Sequence, residues 1–188
     1  MENNRVRITK MLLKEALIKA LKEKNIARVT VTELCELAQI NRTTYYKYYT
    51  DPYDQLTQIS TEFYRHISEI NEKMPGIRSY EKMLEFQTDL CNYYLENREL
   101  FLVLMEHTDM NAQYRKLAWK KAEESYHKQG YDFDHRTFEY VYTAVTGISY
   151  HVIWLWLVRD WKTINAREVA SFILDISYKG INRSLSIR

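Results

Sequence analysis

TVTELCELAQINRTTYYKYYTDP, residues 30–52, decides the fold of this 188-residue chain. Thr30 with Glu33 three residues later is a capping-box signature, in which each side chain satisfies the other's backbone amide at a helix start. Leu34 and Leu37 are the apolar anchors of that helix. It can run only to about Ala38, because Asn41 is a strong cap for a further helix beginning at Arg42. Two short helices joined by so short a turn have helix-turn-helix spacing, in which the second helix enters the major groove of DNA and the first crosses its backbone. Asp51 followed by Pro52 is the third start signal, a capping acid with proline at the first helical position, where its missing amide costs nothing.

Outward from this stretch the pattern stays helical. Before it, residues 5–24 carry Ile8, Leu12, Leu13, Ala16, Leu17, Ala20 and Leu21 at helical spacing, and Asn25 is expected to close that helix in a left-handed conformation. After it, a fourth helix is expected over 52–73, ending before the breaker pair Pro75-Gly76. Beyond the joint, helices are expected over 79–96, 98–106, 110–129, 134–159 and 166–183, the last opened by Asn165 with Glu168 at the box position. The predicted fold is therefore all-α with about nine helices: a helix-turn-helix DNA-binding domain over residues 1–50, a connecting helix over 51–75, and a helical ligand-binding and dimerisation domain over 76–188.

Composition agrees. Four glycines and two prolines are too few for a turn-dense β-sandwich, a barrel or a disordered linker, and 46% hydrophobic with 28% charged residues is globular. No self-similar period of solenoid length is visible. The net charge of +2 conceals an asymmetry: residues 1–50 hold ten basic and five acidic side chains, and the rest hold seventeen and twenty. A basic first quarter on an acidic remainder is the footprint of a nucleic-acid-binding module attached to something else.

Cys35 and Cys91 cannot build a disulfide framework or a four-thiolate zinc site, and a reducing cytosol is the expected compartment. Lys14 and Glu15 interrupt the apolar residues near the amino terminus, so no export signal is expected. Val141–Val158 lacks charged residues and is about as long as the shortest membrane span. Thr143, Thr146, Gly147, Ser149 and His151 dilute it, so it is expected to be a helix covered by protein, with no membrane partner.

Enzyme signatures are missing. Gly76, Gly130, Gly147 and Gly180 are too scattered for a phosphate loop, and Gly147-Ile148-Ser149 lacks the second glycine of a nucleophile elbow. The five histidines have no metal-binding spacing. No catalytic set, metal or cofactor is expected.

At the amino end of the third helix, Arg42 is suited to pair bidentately with guanine, and Thr43 or Thr44 to meet a thymine methyl, a base or a phosphate. Tyr46, Lys47 and Tyr48 follow at a distance that suits phosphates, while Tyr45 and Tyr49, spaced i and i+4, are expected to face inward.

Residues 5–60 resemble the TetR family of bacterial transcriptional regulators. The family's pattern is matched by Thr30, Val31, Glu33, Leu34, Ala38, Ile40, Thr44, Tyr46, Tyr48 and Asp51. The resemblance implies base contacts from Thr32, Arg42, Thr43, Thr44 and Tyr46, and phosphate contacts near Thr30, Lys47 and Tyr48. Gln39 replaces the family's turn glycine and is expected to strain the turn. Pro52 replaces a frequent lysine, which leaves the end amides of the fourth helix to meet a phosphate. The tail, Gly147-Ile148 followed by Trp154, Trp156 and Trp161 and a capped last helix, is similar to regulators grouped near the dihydroxyacetone kinase activator.

The later helices supply the remaining candidates. Phe86, Tyr93, Tyr94, Met105, His107, Trp119, Tyr142, His151 and Trp154 are the side chains expected to line an aromatic, mostly neutral pocket for a planar or apolar effector. Ile148, Ile153 and Trp154, with the stripe Val169, Phe172, Ile173 and Ile176, are expected to pair the last two helices with their copies in a homodimer. The function expected is a homodimeric regulator, a repressor released from a double-stranded operator by an unidentified small molecule. The alternatives are the same shape controlled by a protein partner or organising DNA, and a helical enzyme or binding protein.

Overall fold

A computed structural model describes residues 4–73, 79–109, 123–124, 126–128, 130 and 134–185, with side chains of the last helix described to Ser177. The fold is all-α. Among the described residues the elements are α1 (Asn4–Leu21), a 3-10 turn (Ile26–Arg28), α2 (Val31–Ala38), α3 (Arg42–Tyr45), α4 (Pro52–Asn71), α5 (Tyr80–Glu96), α6 (Arg98–His107), α7 (His135–Arg159) and α8 (Ala166–Leu185). Most of the helix expected over 110–129 lies outside the described residues; 123–124 and 126–128 are helical.

Contacts divide the chain into two units: Met1–Arg65 with Glu99–Gln113, and His66–Arg98 with Tyr114–Arg188. The division falls inside α4. It also groups α6 with the helix-turn-helix.

In the first unit, α1 buries Leu13, Ala16, Leu17, Ala20 and Leu21, one face at helical spacing. It packs on α2, whose buried residues are Leu34, Cys35 and Ala38. Tyr45 and Tyr49 face inward as their spacing requires, both buried, with ring centroids 5.7 Å apart. Gln55 of α4 is buried and its Nε2 donates to the carbonyl of Leu13 at 2.8 Å, which ties α4 to α1. Phe101 of α6 meets Phe63 of α4 at 6.4 Å between centroids, and Tyr64 Oη and Thr108 Oγ1 are 3.0 Å apart. At the end of α6, His107 Nε2 donates to the carbonyl of Leu21 at 2.9 Å, and Glu99 at its start pairs with Lys22.

Two local expectations are corrected here. Asn25 is extended (φ −65°, ψ 148°) rather than left-handed, because its side chain accepts from Ala27 N and caps the 3-10 turn. Glu33 sends its carboxylate to Lys24 Nζ at 2.7 Å, so Thr30, accepting from Glu33 N at 3.2 Å, carries the cap of α2.

The second unit is built on α5, α7 and α8. Arg167 of α8 pairs with Glu81 of α5 at 2.7 Å, and Tyr80 Oη donates to Asp175 at 2.9 Å. Tyr94 and Tyr150 meet edge-on between α5 and α7. The box expected at α8 forms in both directions: Asn165 N donates to Glu168 at 3.1 Å and Glu168 N to Asn165 at 3.0 Å. Helix α7 is long and apolar enough to cross a membrane by length and composition alone. One face of it, Phe138, Tyr142, Tyr150, Ile153, Trp156 and Leu157, is buried within the chain. Trp154, Leu155 and Val158 are exposed.

Candidate nucleic-acid interface

The candidate reading head is α2, a tight turn and α3. Its turn depends on Gln39, which closes α2 in the left-handed region (φ 54°, ψ 42°) while its amide reaches back to the carbonyls of Cys35 and Glu36. This is the strain expected where glycine was replaced, a conformation costing an ordinary residue about 1–2 kcal/mol. Asn41 then starts α3, its Oδ1 accepting from Thr44 N at 2.7 Å. Buried Tyr45 fixes the short helix from below, so the residues around it are presented on a rigid support.

Arg42 and Thr43 are exposed and Thr44 is half-buried. Tyr46 is 57% exposed, beside exposed Lys47 and half-buried Tyr48, whose carbonyl accepts from Gln58 Nε2 at 3.2 Å. Thr30 is exposed with its oxygen committed to the cap of α2, leaving its hydroxyl proton free to donate. Thr32 is half-buried and its Oγ1 accepts from Arg42 Nη2 at 2.5 Å. Sequence reasoning did not foresee that bond, because the partners are ten residues apart across the turn.

The start of α4 is less open to an anion than its sequence suggests. The Asp54 amide is taken up by Asp51 Oδ1 at 2.8 Å, and just before the helix Asp54 Oδ2 accepts from Thr50 N at 2.8 Å. Proline leaves residue 52 without an amide, and two carboxylates oppose an anion there. The Thr50 amide, then Gln58, hold the Asp54 carboxyl below the usual carboxylate range. Cys35 in α2 is buried, and burial pushes its thiol up, against nucleophilic or redox use.

No protein-family profile matches the sequence, and no curated protein sequence matches it. Among solved structures the chain is similar to the dihydroxyacetone kinase operon activator DhaS, with 93% of this chain and 97% of that chain covered, TM-score 0.59 and 15% identity. The chain shares the fold of DhaS. The tail with its three tryptophans is similar to regulators grouped near that activator. At this identity the likeness to DhaS concerns the backbone plan, and each side chain has to be read where it stands.

The side chains proposed for an effector do not all fall in one unit. Met105 and His107 belong to the first, His107 tied to the end of α1. Phe86, Tyr93, Tyr94, Tyr142, His151 and Trp154 belong to the second. Of these, Tyr94 and Tyr142 are buried, Phe86 and Tyr93 half-buried, and Tyr93 stacks with His66 at 4.8 Å. His151 and Trp154 are exposed, His151 Nδ1 donating to the Gly147 carbonyl at 2.8 Å. Trp119 lies outside the described residues.

The stripe proposed for dimerisation divides. Ile153 and Ile173, each 1% exposed, and Val169 are taken up by the intrachain core. Ile148 is half-buried. Phe172 at 57%, Ile176 at 43% and Trp154 remain exposed.

Proposed function

We propose that the chain is a sequence-specific DNA-binding transcriptional regulator of the TetR type, homodimeric, acting as a repressor that a small-molecule effector releases from its operator. The observation that carries this reading is the capped α2–turn–α3 pair. It offers Arg42, Thr43, Tyr46 and Lys47 to solvent from a support locked by Tyr45, in the quarter of the chain that carries the positive charge. In a major groove, Arg42 with Thr43, Thr44 and Tyr46 meets base edges, and Thr30, Lys47 and Tyr48 meet phosphates.

Two such heads must reach successive major grooves about 34–36 Å apart, which requires a dimer. Trp154, Leu155 and Val158 of α7 and Phe172 and Ile176 of α8 are exposed apolar side chains that a second copy would cover. Helix α6 is fastened to α1 through His107 and Glu99, so a displacement of α6 is passed to the head. An effector bound among the aromatic side chains of the second unit acts by favouring the head spacing that does not fit DNA. A planar or apolar molecule suits Phe86, Tyr93 and Trp154. The name of DhaS describes an activator; for the present chain, occupancy of the operator by the head is sufficient for repression.

The test is binding of the purified protein to DNA from upstream of its own gene and to a shuffled control, across a range of salt. Tighter binding to the genuine fragment, falling steeply with salt, is expected. Absence of binding to either at any salt removes the reading.

A further inference from the structure

We propose that Thr32 is a positioning residue for Arg42: it reads no base itself but holds the guanidinium in the orientation from which its remaining edge reads one. The proposal rests on the DNA-binding reading above and deepens it by assigning the origin of specificity at one base.

The geometry is direct. Arg42 opens α3 and Thr32 lies in the first turn of α2, and the Nη2–Oγ1 bond of 2.5 Å bridges the two helices. Arg42 is exposed, so without that bond its long side chain is free to sample many rotamers. A guanidinium carries five N–H donors in a fixed fork, and one of them spent on Thr32 leaves the others for the paired acceptors of a guanine. Thr32 is half-buried on the longer of the two helices, with one lone pair engaged by Arg42. Cys35, one helical turn along α2, feels the same positive charge, which agrees with a guanidinium lying back over α2. The hydroxyl is the working part of Thr32 in this arrangement. Serine preserves it, and valine, of the same shape, removes it.

The experiment selects duplexes from a random pool with the full-length protein as wild type, Thr32→Val, Thr32→Ser, Arg42→Ala and the double variant T32V/R42A. Alongside, ¹⁵N relaxation of the Arg42 side chain is measured in the DNA-free protein. Expected is a loss of base preference at a single position on the order of tenfold for Arg42→Ala. A smaller loss at that same position is expected for Thr32→Val, none for Thr32→Ser, and no further loss in the double variant beyond Arg42→Ala. In the free protein, Thr32→Val releases the Arg42 side chain and Thr32→Ser does not. Loss at a different base position shows that Thr32 reads a base itself and overturns the proposal. So do equal losses on all sequences, independent effects that multiply in the double variant, and an Arg42 side chain unchanged by Thr32→Val. A wild type that enriches no sequence overturns the DNA reading, and the positioning role with it, whatever the relaxation shows.

Discussion

Tyr45 of α3 is fully buried, and among the described residues its hydroxyl has no hydrogen-bond partner. Burial pushes its phenol well above the usual range, with the charge of Asp51 adding to the effect. A buried hydroxyl left unpaired costs about 1–3 kcal/mol, so Tyr45→Phe should raise stability by up to about 1 kcal/mol once the lost contacts are allowed for. A higher thermal unfolding midpoint with unchanged DNA affinity is the expected result. The aromatic body of Tyr45 was legible in the sequence, because spacing i and i+4 with Tyr49 put both rings inward. The fate of its hydroxyl was not, because it depends on what α2 and α4 bring near it. Arg42 teaches the same lesson from the surface: its place at a helix start was readable, whereas its bond to Thr32 needed the angle between two helices.

Helix starts were the most legible elements, since a cap acts over three residues of sequence. Thr30, Asn41 and Asn165 each accept from the amide three residues on, although of the two expected boxes only the one at Asn165 forms in both directions. Asp51 accepts in the same way, and with Asp54 it places two carboxylates at the start of α4. The Asp54 carboxyl is held below its unfolded value, so its contribution is present above about pH 4 and lost as pH falls through the lower folded value. Thermal midpoints of wild type and Asp54→Ala should therefore differ at pH 7 and draw together as the pH falls below the ordinary carboxylate range; a gap that stays constant would show that the carboxylate charge is irrelevant. The destination of α6 was not legible. Leu100, Phe101, Val103 and Leu104 give it a helical period, but a period names a buried face and not its partner. The sequence groups Met105 and His107 with the effector candidates, and both belong to the unit that holds α2 and α3.

At the scale of the molecule, all-α architecture followed from composition and breakers alone, while the assembly surface needed the packed helices. Val169, Phe172, Ile173 and Ile176, at i, i+3, i+4 and i+7, form one stripe of α8 about 100° wide, and that stripe straddles the edge of the intrachain core. Val169 and Ile173, four residues apart, turn inward, and Phe172 and Ile176, also four apart, turn outward. Ile176→Asp together with Phe172→Asp should therefore yield a folded monomer by sedimentation, whereas Ile173→Asp should unfold the second unit, because an unpaired charge enters its core. A double variant that stays dimeric moves the interface off this face. DNA binding by α2 and α3 is tested by backbone amide shifts of the whole protein titrated with a selected duplex. Changes concentrated at residues 30–48 are expected, weaker at higher salt and diminished by Lys47→Ala. Saturable binding that leaves 30–48 unshifted and perturbs another surface would contradict binding by α2 and α3.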